Sequence, residues 1–496
     1  MYRPLHRFMW TSLPIRSLFC GALALIVVTS VSLPSVAQTT GALSDEIDQI
    51  LRTSRADPVF WGIYARDLES GQELYARNAD HAFLPASNQK ILTTATALDA
   101  MSSTHRYETT LHFDGATSDS VMSGDLIIKG SGDPSFGSIE VRSDDPLRVW
   151  AEKLAAMGVQ RIEGRLIGDD DVFDDRPYPE GWDIDYITRQ ASRSMGSTTS
   201  GLSYNDNVVI VQIRATRPGA PPSVQTIPSG VLTINNEATT SSRRYGAGVR
   251  VARDFESNAI NVLGSVPRYY RGSVVVPVAN PTMLAVQSFE GALNNAGIET
   301  DLTLLDVDDM DEKPNTGAIT PLFASFSPPL ADILAITNKE SNNFYAEQLF
   351  RTYGWAGSVR GGANRTERFL RRAGINGRDV LVRDGSGLSR KDLITPRAMV
   401  QLLAHMDEHR ERAAFLSSLP LGGERNTTLE YRLRRVPVRA KTGSLRFIRT
   451  LSGYVTRSDG SRVAFALFAN NYTGPSYRVT NAFDRVVSTL MSSPPS

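Results

Sequence analysis

The chain has 496 residues, 41 % of them apolar and 21 % charged, and its 53 Lys+Arg are balanced by 53 Asp+Glu. That length exceeds what one hydrophobic core fills and the charge shows no cationic excess, so two or three globular domains are expected and a nucleic-acid partner is not. The single cysteine, Cys20, lies near the N-terminus, which leaves the rest of the chain without a disulfide framework, a thiolate metal site or a cysteine nucleophile.

The first residues carry Arg3, Arg7 and Arg16 and no acidic residue, followed by an apolar run from Leu18 to Leu33 that ends in Ser35-Val36-Ala37. This reads as a signal peptide over residues 1–37, cleaved before Gln38. The alternative is an uncleaved anchor, but the run of about 16 residues is shorter than the roughly 20 that span a bilayer. Either way the chain is exported, to the periplasm by expectation, with at most a loose membrane association and no integral membrane segment in the mature chain. Removing residues 1–37 takes three arginines and no acidic residue, leaving a net charge of about −3.

Val59 to Ala65 and Glu73 to Ala76 read as two short strands around a turn. After Pro85 the apolar positions Ile91, Leu92, Ala95, Leu98 and Met101 adopt a helical period, which predicts a helix opening close to Ser87. Residues 107–280 are rich in short strand-like runs, such as Asn207 to Gln212, separated by Gly, Asp, Pro and Ser. They read as a mostly β insertion, forming two subdomains and interrupted by a helix near Leu147 to Met157. Helical periodicity returns at Met283 to Ala296, Leu330 to Thr337, Phe344 to Tyr353, Arg365 to Ala373 and Pro396 to Met406. Near the end, Asp459-Gly460 between two apolar runs predicts a hairpin, and a last helix covers Tyr477 to Met491.

Three short motifs occur in one order: Ser87-Asn88-Gln89-Lys90, Ser341-Asn342-Asn343 and Lys441-Thr442-Gly443. Each alone is weak; their order and contexts give them meaning. Ser87 at a helix start lies near free backbone N–H groups, with Lys90 three residues on along the same face. A serine hydroxyl needs a base, and lysine serves only if burial and a neighbouring cation, for which Lys441 is available, depress its pKa. Ser341 and Asn343 fall in a break between helices, where Ser341 can relay a proton and Asn343 can hold Lys90 and the substrate backbone. Lys441, Thr442 and Gly443 lie on an expected edge strand along which an extended peptide can add. There Lys441 and Thr442 offer a cation and a hydroxyl to a carboxylate, and Gly443 keeps the approach open. The N–H groups of Ser87 and Ser444 together suit an oxyanion hole.

These motifs match the set shared by penicillin-binding proteins and class A β-lactamases. More closely, the chain resembles the class C low-molecular-mass penicillin-binding proteins, the type-4 D-Ala-D-Ala carboxypeptidase/endopeptidase family. The supporting segments are Pro85 to Leu98, Gly124 to Pro134, Gly181-Trp182, Ser203 to Asn207, Asn280-Pro281, Asp384 to Arg390 and Ala440 to Leu445. The resemblance implies an α/β (α+β) transpeptidase-like catalytic domain, split into residues 38–106 and 281–496 by the β insertion at 107–280. It implies a serine-type carboxypeptidase acting on peptidoglycan stem peptides, inhibited by β-lactams, with no cofactor and no metal. By the same resemblance Arg390 and Asp169 are candidates for the carboxylate and amine of a diaminopimelate-type side chain, with Asp170 and Asp171 competing for the second role. The middle motif reads Ser-Asn-Asn where Ser-Asp-Asn is common in the family.

Two rival readings are a β-lactamase that hydrolyses the same acyl-serine quickly and a catalytically silent wall-binding protein of the same fold. Glu290-Gly291-Ala292-Leu293-Asn294 spells a class A deacylation motif, but it precedes Ser341 where that family places it after. His405 and His409 are four apart, yet a zinc protease needs Glu directly after the first histidine. The run Asp169-Asp170-Asp171 lacks the spaced ligands of an EF-hand, and local polar contacts are expected for it.

Overall fold

The computed structural model describes residues 36–141, 144–188, 198–255 and 257–494. The expected signal peptide lies outside the described residues except for its last two positions, which open the helix Val36–Thr53. No helix among the described residues is long and apolar enough to cross a membrane.

The central sheet joins the two ends of the chain. Its five antiparallel strands run in the order Val438–Leu445, Ile448–Thr456, Arg462–Asn470, Phe60–Asp67 and Glu73–Arg77. The interior strand Arg462–Asn470 reads as continuous apolar sequence because both of its faces are covered. Ala464, Ala466 and Phe468 point into one core, Val463, Phe465, Leu467 and Ala469 into the other. The second of these cores is closed by the terminal helices Val36–Thr53 and Ser476–Ser492, which contribute Ile47, Leu51, Phe483 and Val487. The first is closed by helices Gln89–Met101, Leu330–Ala335, Asn343–Thr352, Val359–Arg372 and Pro396–Glu408.

Helix Gln89–Met101 is buried on every side from Gln89 to Leu98. Its threonines are tolerated there because their hydroxyls find backbone acceptors: Thr94 donates to Lys90 O and Thr96 to Leu92 O, both at 2.7 Å, and Thr93 to Gly385 O at 2.6 Å.

A second, mixed sheet has the order Glu299–Asp306, Arg161–Asp169, Val121–Lys129, Glu108–Ser118 and Phe323–Phe326. Helices Pro146–Ala156 and Pro281–Asn295 cover it through Leu147, Trp150, Leu154, Val286, Phe289 and Leu293. The boundary expected at residue 280 therefore falls inside this unit, since a helix and two strands from beyond it complete the layer. Helical periodicity identified the segment Met283 to Ala296 but carries no information on which sheet the helix covers. Residues 208–277 form a smaller all-β sandwich around Val209, Val211, Ile213, Val251, Ile260, Val262 and Val276.

Candidate active site

Ser87 sits on the 3-10 turn Ala86–Asn88, which runs directly into helix Gln89–Met101. Three side chains fasten this turn to the edge of the central sheet. Asn88 Nδ2 donates to Lys441 O at 2.6 Å, Ser452 Oγ donates to Asn88 Oδ1 at 2.8 Å, and Thr450 Oγ1 donates to Pro85 O at 2.8 Å. Ala86 has φ +47°, a left-handed conformation that a non-glycine residue adopts only when its surroundings enforce it.

Lys90 is fully buried, with Nζ 3.2 Å from Ser87 Oγ, 2.5 Å from Asn343 Oδ1 and 2.7 Å from the carbonyl of Ser386. Burial pushes its pKa down to about 7, against the opposing pull of Asp384 and Glu347. Lys441 is equally buried; its Nζ lies 2.9 Å from Ser341 Oγ and 2.9 Å from Thr442 O. Burial, and then the neighbouring Lys90, push it well below the ordinary lysine range.

Ser341 ends a single π turn, Ile336–Glu340, in the left-handed conformation with φ +63°. The chain then reverses into helix Asn343–Thr352, which Asn342 caps by accepting from Tyr345 N–H at 3.1 Å. The middle position of the motif is thus an N-cap, which explains why Asn serves there as well as Asp. The strand Val438–Leu445 is the sheet edge, with Thr442 half-buried and Ser444 exposed. Gly443 is required for a different reason from the one its sequence context suggested. A Cβ there would meet Thr450 Oγ1 at 2.0 Å, Pro85 O at 2.9 Å and Ser87 N at 3.1 Å, so the glycine lets the edge strand press against the Ser87 turn.

Several groups around Lys90 carry no motif signature. The Ser386 carbonyl belongs to the loop 384–389, held from two sides by buried carboxylates. Glu347 accepts from Gly385 N–H at 3.1 Å and Ser386 N–H at 2.8 Å; Asp384 accepts from Gly387 and Ser389 N–H, both at 2.7 Å, and from Trp182 Nε1 at 2.8 Å. Burial, followed by the charge of Asp384, pushes Glu347 up. Glu347 stands one helical turn after Asn343, so the same helix face supplies two of the supports of Lys90. That i, i+4 spacing is the one sequence signal that points to it. An apolar patch of Ala86, Leu388, Leu445 and Ile448, joined by Trp182 and Tyr186, lies alongside the turn.

Ser87, Lys90, Ser341, Asn343, Lys441, Thr442, Gly443 and Ser444 are therefore brought together. Arg390 is exposed at the end of the 384–389 loop, its N–H donating to Gly181 O at 3.3 Å. Asp169 ends strand Arg161–Asp169 of the second sheet, nearly buried, where it accepts from Asp171 N–H at 3.3 Å. Asp170 is held by Thr282 and Ser200, and Asp171 by Lys313, so apart from the Asp169–Asp171 turn the acidic run is tied down by residues distant in sequence. Asp170 also lies within 4.8 Å of the carboxylates of Asp306 and Asp308, where Lys313 pairs with Asp308 at 3.0 Å. Glu290 and Asn294 lie on the helix that covers the second sheet. The rings of His405 and His409 lie 5.7 Å apart and tilted by 50°, with His405 edge-on to Phe369.

The model of the D-Ala-D-Ala carboxypeptidase 3 (S13) family matches residues 43–489. The chain belongs to that family. The motifs and fold are those of a serine carboxypeptidase, in agreement with the resemblance to the type-4 penicillin-binding proteins. The chain is similar to the D-alanyl-D-alanine carboxypeptidase of Actinomadura sp. strain R39, with 29 % identity over 466 residues, 89 % of this chain and 84 % of that one. It shares its fold with penicillin binding protein 4 (dacB) of Haemophilus influenzae, with a TM-score of 0.77 and 22 % identity over 90 % of this chain and 99 % of the other; a second structure of that protein holds a β-lactam. The predatory peptidoglycan endopeptidase Bd3459 of Bdellovibrio bacteriovorus is a more distant likeness, with a TM-score of 0.51 and 17 % identity over 87 % and 92 % of the two chains.

Proposed function

We propose that Ser87 attacks the carbonyl of a D-alanyl peptide bond in peptidoglycan stem peptides, forming an acyl-enzyme that water then releases. The observation that carries this reading is a serine hydroxyl 3.2 Å from a buried lysine whose pKa is lowered to about 7. In acylation the Ser87 proton passes to Lys90 as the Ser87 Oγ–carbon bond forms. The C–N bond then breaks, and the departing amine takes a proton through Ser341. Asn343 keeps Lys90 Nζ in place. Lys441 and Thr442 hold the substrate carboxylate while the Ser87 and Ser444 N–H groups receive the oxyanion. Hydrolysis of the ester returns the proton to Ser87.

A β-lactam enters by the same route and deacylates slowly, giving inhibition. The position of Glu290 and Asn294 on the second-sheet layer disfavours the β-lactamase alternative. The complete set of reacting side chains disfavours a silent scaffold. Arg390, exposed beside the apolar patch, binds the carboxylate of a charged substrate side chain. Residues 107–326 form an accessory region beside the catalytic domain, the expected insertion extended to the end of the second sheet. The chain works outside the cytoplasm, in the periplasm, after loss of its signal peptide.

Labelling with fluorescent penicillin tests the nucleophile: wild type takes the label and Ser87→Ala takes none, while equal label on both would sink the assignment. Mass spectrometry of digested muropeptides separates the two peptidase modes. Loss of the terminal D-Ala from pentapeptides marks carboxypeptidase action, and monomers arising from dimers mark endopeptidase action. Arg390→Ala slows only substrates with a charged side chain; equal loss on a neutral D-Ala-D-Ala peptide contradicts its role.

A further inference from the structure

The small sandwich at 208–277 carries charge of one sign. It contains eight arginines and no lysine against three acidic residues, in a chain whose total charges balance. Six of the arginines, Arg214, Arg217, Arg243, Arg244, Arg268 and Arg271, are exposed at one end of it. Arg214 faces Arg271 across paired strands, Arg268 N–H donates to Arg243 O at 3.0 Å, and Gly219 N–H, in the turn after Arg217, donates to Thr240 O at 2.8 Å. None of the six has a carboxylate partner among the described residues, whereas Arg148, Arg161, Arg165, Arg397, Arg432 and Arg462 elsewhere are all paired. Two tyrosines stand out of the same tip, Tyr245 and Tyr269, 78 % and 75 % exposed, with the Arg244 and Arg268 guanidinium groups 5.8 and 5.0 Å from their ring centres.

The opposite end of the sandwich faces the catalytic side. There Phe255 stacks on Tyr178 at 6.0 Å, and Tyr178 neighbours Trp182. Strands Ala259–Leu263 and Ser265–Pro267 run from that end to the tip, a span of up to about 25 Å at roughly 3.3 Å per residue.

We propose that the Arg/Tyr tip docks the enzyme onto an anionic phospholipid surface. Unpaired like charges gathered at one end repel one another until an anion neutralises them. Tyrosine beside arginine suits the headgroup layer, where the ring is half in contact with lipid and the hydroxyl remains wet. Because these side chains stand exposed on turns and strand ends, they suit a plane rather than a polymer thread, which needs a groove. Docked this way, the enzyme keeps its cleft turned away from the bilayer, toward the wall.

Cosedimentation of the full chain with vesicles of phosphatidylglycerol and phosphatidylcholine, against phosphatidylcholine alone, tests this at low and high salt. The readout is the anionic preference of wild type against that of the charge-reversed variant below, because Arg3, Arg7 and Arg16 of the N-terminal segment also favour anionic lipid and are unchanged between the two. Binding to the anionic vesicles is expected, weakening with salt. Each arginine near such a surface contributes roughly fivefold, so combining Arg243→Glu, Arg244→Glu and Arg268→Glu lowers it by about 100-fold or more, with penicillin acylation unchanged. Tyr245→Ala with Tyr269→Ala weakens binding at constant net charge. No preference for anionic vesicles at low salt, or equal binding by the triple variant, overturns the proposal. So does retention on an anionic wall polymer without vesicle binding, which would identify the polymer as the partner.

Discussion

Replacing Gly443 with alanine perturbs the contact on which the nucleophile's position depends. The new Cβ would sit 2.0 Å from Thr450 Oγ1, against about 3.4 Å for an ordinary contact, so Thr450 must yield by about 1.4 Å. Rotating its side chain relieves that clash but gives up its hydrogen bond to Pro85 O, two residues before Ser87, and leaves Pro85 O itself 2.9 Å from the methyl. Overpacking of this kind costs about 1–3 kcal/mol and the lost hydrogen bond about 0.5–1.5 kcal/mol, so urea unfolding is expected to show a loss of about 2–4 kcal/mol. The functional loss is larger, because a shift of about 1 Å between reacting groups lowers a rate by roughly 100-fold. Stopped-flow acylation with a fluorescent penicillin measures it. Gly443→Ala combined with Thr450→Ala removes the nearest obstacle but not the Pro85 carbonyl, and recovers only part of the rate. Acylation by Gly443→Ala within twofold of wild type would refute the reasoning, since the edge strand would then not constrain the Ser87 turn.

Acylation is expected to rise with pH through about 7 as Lys90 loses its proton, because only the neutral amine can accept from Ser87; a profile flat from pH 5 to 9 would show that another base operates. Lys90→Arg, which keeps the cation but does not deprotonate in this range, abolishes labelling while the protein stays folded by circular dichroism. Glu347→Ala leaves the Gly385 and Ser386 N–H groups buried without acceptors, a cost of about 2–5 kcal/mol in chemical denaturation, and lowers acylation at least tenfold as the Ser386 carbonyl leaves Lys90. Asp67→Asn breaks a buried pair with Arg457 that lies on the far face of the central sheet's end; about 3–5 kcal/mol of stability is lost, with acylation of the folded fraction unchanged.

The parts of the site that could be read in the sequence are side chains at fixed offsets on regular elements. Ser87 and Lys90 share a helix face, Ser341 and Asn343 flank a helix break, and Lys441 lies on an edge strand preceding a strong hairpin signal. What escaped is of three kinds. The Ser386 carbonyl that holds Lys90 is a backbone atom, and no residue type announces it. Asn88 and Glu347 act by fastening a turn and a loop, and their roles exist only once the distant Lys441 carbonyl and the Gly385 N–H are brought to them. The helix Pro281–Asn295 has an ordinary amphipathic pattern that fits either sheet, so the sequence does not announce that it covers the second one. Asp169, which the resemblance offers for a substrate amine, stands at a strand end of the other layer, where its neighbours are Asp171 and Lys129.

The central sheet has a consequence for how the enzyme is made. Strand Phe60–Asp67 pairs along its whole length with Arg462–Asn470, some 400 residues downstream. A ribosome adds roughly 5–20 residues per second, so the first strand waits at least about 20 seconds for its neighbour. Throughout that time helix Gln89–Met101 lacks the sheet that buries it, and Lys90 lacks the low-dielectric surroundings that lower its pKa. Pairing over so long a separation also makes folding slow. On the proposed mechanism reactivity is therefore withheld until synthesis is finished, and a chain stopped before its last hairpin carries every residue of the first two motifs without the setting that activates Ser87.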